Sequence, residues 1–150
     1  MRIVEIRRAR PDDLDLVTPL FDAYRQFYDL PSDVAAARAY LCDRLVAGDS
    51  VVFVATDGRA ALGFTQLYPT LDSLTLRPYA ILSDLYVAPG ARRHGTGRRL
   101  LVRAREYAME TGAVRLELQT AHSNLAAQAL YESLGWRRDD QFVIYTLRCS

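Results

Sequence analysis

The stretch that most narrows the possible folds is residues 84–101, Asp-Leu-Tyr-Val-Ala-Pro-Gly-Ala-Arg-Arg-His-Gly-Thr-Gly-Arg-Arg-Leu-Leu. Residues 80–87 are apolar at nearly every position, as expected of a central strand covered on both faces. Pro89 and Gly90 end that strand. Helical spacing resumes over residues 96–111, with Leu100, Leu101, Ala104, Tyr107 and Ala108 on one face and Gly112 as the stop. A buried strand feeding a helix through a glycine-rich turn commits the chain to a layered sheet-and-helix domain. The turn also carries chemistry. Gly95 and Gly97 allow close approach of the backbone to a ligand, and the N–H groups of the first turn lack partners inside the helix. The macrodipole adds partial positive charge, and Arg92, Arg93, Arg98 and Arg99 cluster around it. Guanidinium forks match phosphate oxygens, so the combination suits a pyrophosphate.

Two familiar phosphate loops are excluded. A dinucleotide fingerprint needs a third glycine where Leu100 stands and an acid further on, and a Walker A loop needs a lysine, which this chain lacks altogether. A glycine-softened turn with solvated arginines is the plain alternative. The 150 residues carry a net charge of +1, which gives no bulk case for nucleic acid or an acidic membrane. Half of the residues are hydrophobic and a quarter charged, an ordinary globular balance. Cys42 and Cys149 form no CxxC pair and no zinc spacing, so no metal is expected and a reducing, cytoplasmic setting is. The charged start is no secretory signal, and the longest apolar run, residues 51–55, cannot span a bilayer.

The rest of the chain reads as one mixed α/β domain over residues 1–150. Residues 3–7 alternate as a strand, and Pro11-Asp12-Asp13 opens a helix carrying Leu16, Leu20, Phe21, Tyr24 and Phe27. A second helix runs over residues 33–47, capped by Asp33 and closed by Gly48. Strands at 51–55 and 61–68 flank the Asp57-Gly58 turn. Residues 69–78, bounded by prolines, are expected to be a loop. A strand at 114–120, a helix at 124–134 and a last strand at 142–147 complete the order β-α-α-β-β-β-α-β-α-β.

The loop residues Arg92, Gly95 and Gly97 resemble the R-x-x-G-x-G acyl-coenzyme A loop of the GNAT N-acetyltransferases. Downstream, Asn124-Leu-Ala-Ala-Gln-Ala-Leu-Tyr131-Glu-Ser-Leu-Gly135-Trp136 is similar to that family's N-x-x-A-x-x-L-Y-x-x-x-G-F/W pattern. The two motifs stand about 35 residues apart with a strand between, and the order of elements matches over nearly the whole chain. Residues 81–87 further resemble the corresponding strand of diamine and polyamine acetyltransferases. Tyr24-Arg-Gln-Phe-Tyr28 and Gly63-Phe-Thr-Gln-Leu-Tyr68 are similar to their bacterial relatives.

The resemblance implies a mostly antiparallel sheet with one splayed parallel strand pair and helices on both faces. It also implies transfer of an acetyl group from acetyl-coenzyme A to a primary amine, with a homodimer among the possible assemblies. Backbone groups of Leu85 and Val87 would pair with the pantetheine arm in the splay. The main-chain amides of Arg93, His94, Gly95, Thr96, Gly97 and Arg98 would hold the pyrophosphate, with Arg92 as a charged flank. Asn124 would bond the pantetheine arm, while also suiting a helix N-cap. Tyr131, which helical spacing alone would place in the core, becomes the candidate general acid. A thiolate leaving group has a pKa of roughly 8.5, and a tyrosine with a pKa of about 10 is neutral at pH 7 and able to protonate it.

The base is less direct. An alkyl ammonium with a pKa of about 10.4 is nearly all protonated at pH 7, a handicap of roughly 4–5 kcal/mol. Polyamine acetyltransferases of similar pattern carry a glutamate where this chain has Ser83. Adjacent Asp84 is therefore expected to draw the cationic amine and deprotonate it through water, or else to pair with a nearby arginine. Tyr24, Tyr28, Tyr68 and Tyr145 are candidate lining residues of the acceptor pocket, able to meet a cation with their ring faces, or core residues. His94 offers only its backbone, and His122 reads as a loop residue. Three rival readings remain: a protein N-terminal or lysine acetyltransferase, a non-catalytic acyl-coenzyme A sensor, and a nucleic-acid binder.

Overall fold

The computed structural model describes residues 3–150, which form two compact units, one ending at Gln119 and the other beginning at Thr120. The first holds a five-stranded sheet in the order β1-β2-β3-β4-β5: β1 (Glu5–Arg8), β2 (Val51–Thr56), β3 (Ala61–Asp72), β4 (Arg77–Val87) and β5 (Leu116–Glu117). All neighbours are antiparallel except β4 and β5, which run parallel. This is the mixed sheet expected from the sequence.

Helices α1 (Leu14–Phe27) and α2 (Val34–Ala47) cover one face. Their Val17, Leu20, Phe21, Ala37 and Leu41 pack with Val52, Val54 and Phe64 of the sheet. Strand residues alternate between faces, so Phe53 points the other way, where the Tyr107 ring lies 6.0 Å from its own. Tyr107 belongs to α3 (Thr96–Glu110), which buries Leu100, Leu101, Ala104 and Ala108. Coverage on both sides explains why all six residues of β2 are buried. Gly63 lets α3 approach β3: a Cβ there would lie 3.2 Å from Leu100 Cδ1 and 3.3 Å from Thr96 Cγ2. α2 begins and ends as expected, with the Asp33 carboxylate accepting from Ala36 N–H and Gly48 in the left-handed region. On α1, Leu16 and Tyr24 are partly buried against the core, whereas Phe27 is 56% exposed.

Residues 69–78 are not the expected loop. β3 continues to Asp72 and β4 starts at Arg77, leaving a short turn between them. Pro69 pairs with Ala80 beyond the reach of β2, which pairs only as far as Leu67, while Pro78, opposite Leu71, is the second residue of β4 and still accepts at its carbonyl from Val114 N–H at 2.8 Å. A proline is tolerated on the free edge at Pro69 and at the start of a strand, as at Pro78. The expected strand at 114–120 shrinks to Leu116–Glu117, paired with Ala80 and Ile81.

The second unit carries α4 (Leu125–Ser133), capped by the Asn124 side chain, which accepts from Ala127 N–H at 3.3 Å. The expected strand at 142–147 is absent. β-propensity supplies a pleated apolar segment, but a strand exists only when a neighbouring edge completes its ladder. Phe142, Val143, Ile144, Tyr145 and Leu147 are instead 66–91% exposed.

Candidate active site

The β3–β4 register sets Gln66 opposite Asp84. Both are buried, Gln66 at 0% and Asp84 at 6% exposure. Gln66 Nε2 donates to Asp84 Oδ2 at 2.6 Å, and Gln66 Oε1 accepts from Ser50 Oγ at 2.8 Å. Ser83 Oγ donates to the other carboxylate oxygen at 3.1 Å. A carboxylate in an apolar sheet interior is costly unless its oxygens are satisfied, and here each has a donor. Burial pushes the Asp84 carboxyl above the usual carboxylate range, and hydrogen bonding to Gln66, Tyr24 and Ser83 draws it part of the way back.

Asp84 opens into a cavity of about 550 Å³ between α1, α2 and the sheet. Of the residues expected around the acceptor, Tyr24, Tyr28, Tyr68, Ser83 and Asp84 line it and Tyr145 does not. Tyr24 OH donates to the Ser83 carbonyl at 3.3 Å, and the hydroxyls of Tyr40 and Tyr68 lie 2.5 Å apart. The Tyr24 and Tyr28 rings meet edge-on at 5.2 Å. Burial, then the nearby Asp84 charge, raises the Tyr24 phenol far above its ordinary range. Burial, then the hydrogen bond to Tyr40, does the same for Tyr68. Both phenols, neutral already at an ordinary tyrosine pKa of about 10, present donors and ring faces to the cavity.

Three contributors escaped the sequence. Gln66 is recognisable only from the register that places it beside Asp84. Tyr40 and Arg25 line the same cavity. A polar Gln among the apolar positions of β3 is the one signal that pointed to the first. Tyr145, by contrast, lies in the second unit, 91% exposed.

Beyond the cavity, β4 runs on toward the turn. Its pairing with β5 ends at Ile81–Glu117, so among the described residues the stretch through Leu85 and Val87 has a strand neighbour on the β3 side only. A main-chain edge left open in this way can hydrogen-bond an extended ligand. The turn itself departs from ordinary backbone: Arg93 (φ 65°) and Gly95 (φ 77°) both take left-handed conformations. Gly95 is the N-cap of α3 and no side chain caps it; the first helical bond runs from Arg99 N–H to the Gly95 carbonyl. The amides of Thr96 and Gly97 thus have no helical acceptor. Arg92, Arg93 and His94 are exposed around them. Arg92 is tied down, its Nε donating to the Val87 carbonyl at 2.9 Å and its guanidinium lying 5.5 Å from the Tyr86 ring centre. A helix start with unpaired amides thus lies at one end of an open strand edge, with a buried carboxylate near the other, an arrangement chemically suited to an extended anionic ligand.

In the second unit, Tyr131 follows Asn124 by two turns of α4, and its ring lies 5.9 Å from that of Trp136. Trp136 N–H bonds the Tyr131 carbonyl at 3.1 Å, closing the helix after Gly135. Among the described residues no three His, Cys, Asp or Glu side chains gather as a metal site, and no helix is long and apolar enough to cross a membrane.

The chain is similar to known proteins over nearly its whole length. An N-acetyltransferase of Bacillus subtilis, the uncharacterized YhfO, is 44% identical over 96% of this chain and 97% of its own length. The crystal structure of a probable acetyltransferase superposes with a TM-score of 0.92 at 42% identity, over 97% of this chain and 98% of that one. The aminoglycoside N-acetyltransferase AAC(6')-Iy, solved in complex with CoA, shares the fold at a TM-score of 0.84 and 20% identity, over 99% and 97% of the two chains. The pattern described as the acetyltransferase (GNAT) family matches residues 17–136, from the first turn of α1 to the tryptophan after α4. The chain belongs to the GNAT family and is an acetyltransferase.

Proposed function

We propose that this chain moves the acetyl group of acetyl-coenzyme A onto a primary amine, a small amine or polyamine, by direct attack within a ternary complex. The observation that carries this reading is Asp84, a buried carboxylate held by Gln66 and Ser83 at the wall of a tyrosine-lined cavity. Asp84 attracts the ammonium, the rings of Tyr24, Tyr28 and Tyr68 face it, and Ser83 offers a hydroxyl at the same wall. The raised Asp84 proton affinity brings it closer to the pH at which an amine must be deprotonated, and a water between the two relays the proton.

The thioester, when bound, supplies the acetyl group. Leu85 and Val87 pair with the pantetheine arm through their backbones, and Asn124 bonds it from the start of α4. The amides of residues 93–98 hold the diphosphate. Arg92, fixed by Val87, keeps Nη1 and Nη2 for phosphate oxygens. Tyr131 donates its hydroxyl proton to the departing sulfur, an assignment carried by the motif from Asn124 to Trp136. The cavity volume favours a small acceptor over a protein tail. The Cys42 and Cys149 thiols, both free, accord with a cytoplasmic enzyme, and a homodimer is the assembly we expect. Free thiol released from acetyl-coenzyme A in the presence of a panel of primary amines tests the reading. Amine-dependent release supports it, and release that ignores the amine contradicts it.

A further inference from the structure

We infer that the acceptor carries a carboxylate in addition to its reacting amine, and that Arg25 is the residue that recognises it. The inference rests on the proposed acetyl transfer at the same cavity and narrows its substrate class. Among the described residues lining the cavity, two carry charge: Asp84 and Arg25. Arg25 is half-buried on α1, directly after Tyr24.

Its guanidinium makes no hydrogen bond and no ion pair among the described residues, unlike Arg7, Arg38, Arg44, Arg103 and Arg115, each paired with an acid, and unlike the equally unpaired Arg93, Arg99 and Arg105 it is half-buried rather than exposed. Asp22, one turn earlier, does not fill that role. Its carboxylate is held by Ser32 Oγ at 2.7 Å, Asp33 N–H at 2.8 Å and Gln26 Nε2 at 3.1 Å, and Arg25 acts on it only through space. A five-donor fork in the wall of a largely aromatic hollow is an incomplete recognition site, and its planar geometry matches a carboxylate.

The pattern of signs decides the class. A polyamine brings a second ammonium into a hollow whose other charge is a guanidinium, and the low local dielectric amplifies that repulsion. An aminocarboxylate meets each of its charges with the opposite one, the ammonium on Asp84 and the carboxylate on Arg25. Specificity then comes from repelling the polycation as much as from attracting the zwitterion.

The test measures kcat/KM for amino acids of both hands and for diamino acids, each beside its decarboxylated amine, for example lysine beside 1,5-diaminopentane. In the wild type the best aminocarboxylate should exceed its decarboxylated partner by about tenfold or more, with the gap lying mainly in KM. Arg25→Gln should bring the ratio near one, Arg25→Glu should reverse it, and Arg25→Lys should keep part of it, circular dichroism verifying the fold of each. A wild-type ratio of one or below overturns the inference, without any variant. So does a ratio that survives Arg25→Gln. When amines are acetylated with no preference, only this inference fails; when none of the amines releases thiol, the proposed acetyl transfer fails with it.

Discussion

Gln66 and Asp84 face each other across the β3–β4 pair, and the Gln66 amide donates to the Asp84 carboxylate at 2.6 Å. Ser50 fixes the other end of that amide, so Asp84 is aimed by a chain of buried partners rather than by its own rotamer alone. Gln66→Leu removes the donor and leaves Ser50 Oγ without its acceptor. Loss of the donor lets burial raise the Asp84 proton affinity further, so the acid limb of the kcat/KM profile should move to higher pH. The variant should also lose about 1–3 kcal/mol of stability, read from urea unfolding. An unmoved acid limb in a folded Gln66→Leu protein disproves the coupling.

Asp84→Asn separates function from stability. Activity should fall about 100-fold or more, since the amine loses both its anchor and its proton acceptor. The sign for stability is opposite. Because the folded pKa of Asp84 is raised, ionising it costs more in the native state than in the unfolded chain. That cost is missing at low pH and appears as pH rises from the unfolded value, about 3.9, through the folded one. The melting temperature of Asp84→Asn relative to wild type should therefore climb between pH 4 and pH 7. A constant difference across that range is the contrary result.

Tyr131→Phe keeps the ring against Trp136 and deletes one hydroxyl. A general acid acts in the transition state, so kcat should drop about 100-fold while the KM for acetyl-coenzyme A changes little. Equal kcat in variant and wild type removes Tyr131 from the mechanism.

Gly63→Val tests how α3 is seated. A Cβ at this position already lies 3.1 Å from the Tyr86 carbonyl and 3.2–3.3 Å from Leu100 and Thr96, so the added methyls must push α3 off the sheet. Overpacking of this kind costs about 1–3 kcal/mol. Because Thr96 opens α3, coenzyme A affinity should weaken together with the melting temperature. Wild-type behaviour in both measurements contradicts the close packing of Gly63 on α3.

Much of this was legible from local pattern. The turn at Gly95 and Gly97, the strand before it and the helix after it follow from spacing and breakers, and Tyr24, Tyr28, Tyr68, Ser83 and Asp84 line one cavity, whereas Tyr145 lies exposed in the second unit. What escaped was non-local. Pro69 and Pro78 look like loop punctuation until the register places Pro69 on an edge beyond β2 and Pro78 at the start of β4. Phe142–Leu147 has strand composition, yet composition does not provide a neighbouring ladder. Gln66 and Arg25 acquire meaning only through what folding puts beside them: a carboxylate for one and a cavity for the other.

The most direct test of the central claim is calorimetric titration of coenzyme A into the wild type and into Gly95→Val. A β-branched residue is strained at φ 77°, so the backbone must rearrange there and carry the amides at the start of α3 out of place, although the added Cβ itself meets open space. The wild type should show saturable one-site uptake, and the folded variant should lose at least about tenfold in affinity. A folded wild type that takes up no coenzyme A, or a Gly95→Val protein that binds it equally well, contradicts the claim that this turn grips the diphosphate.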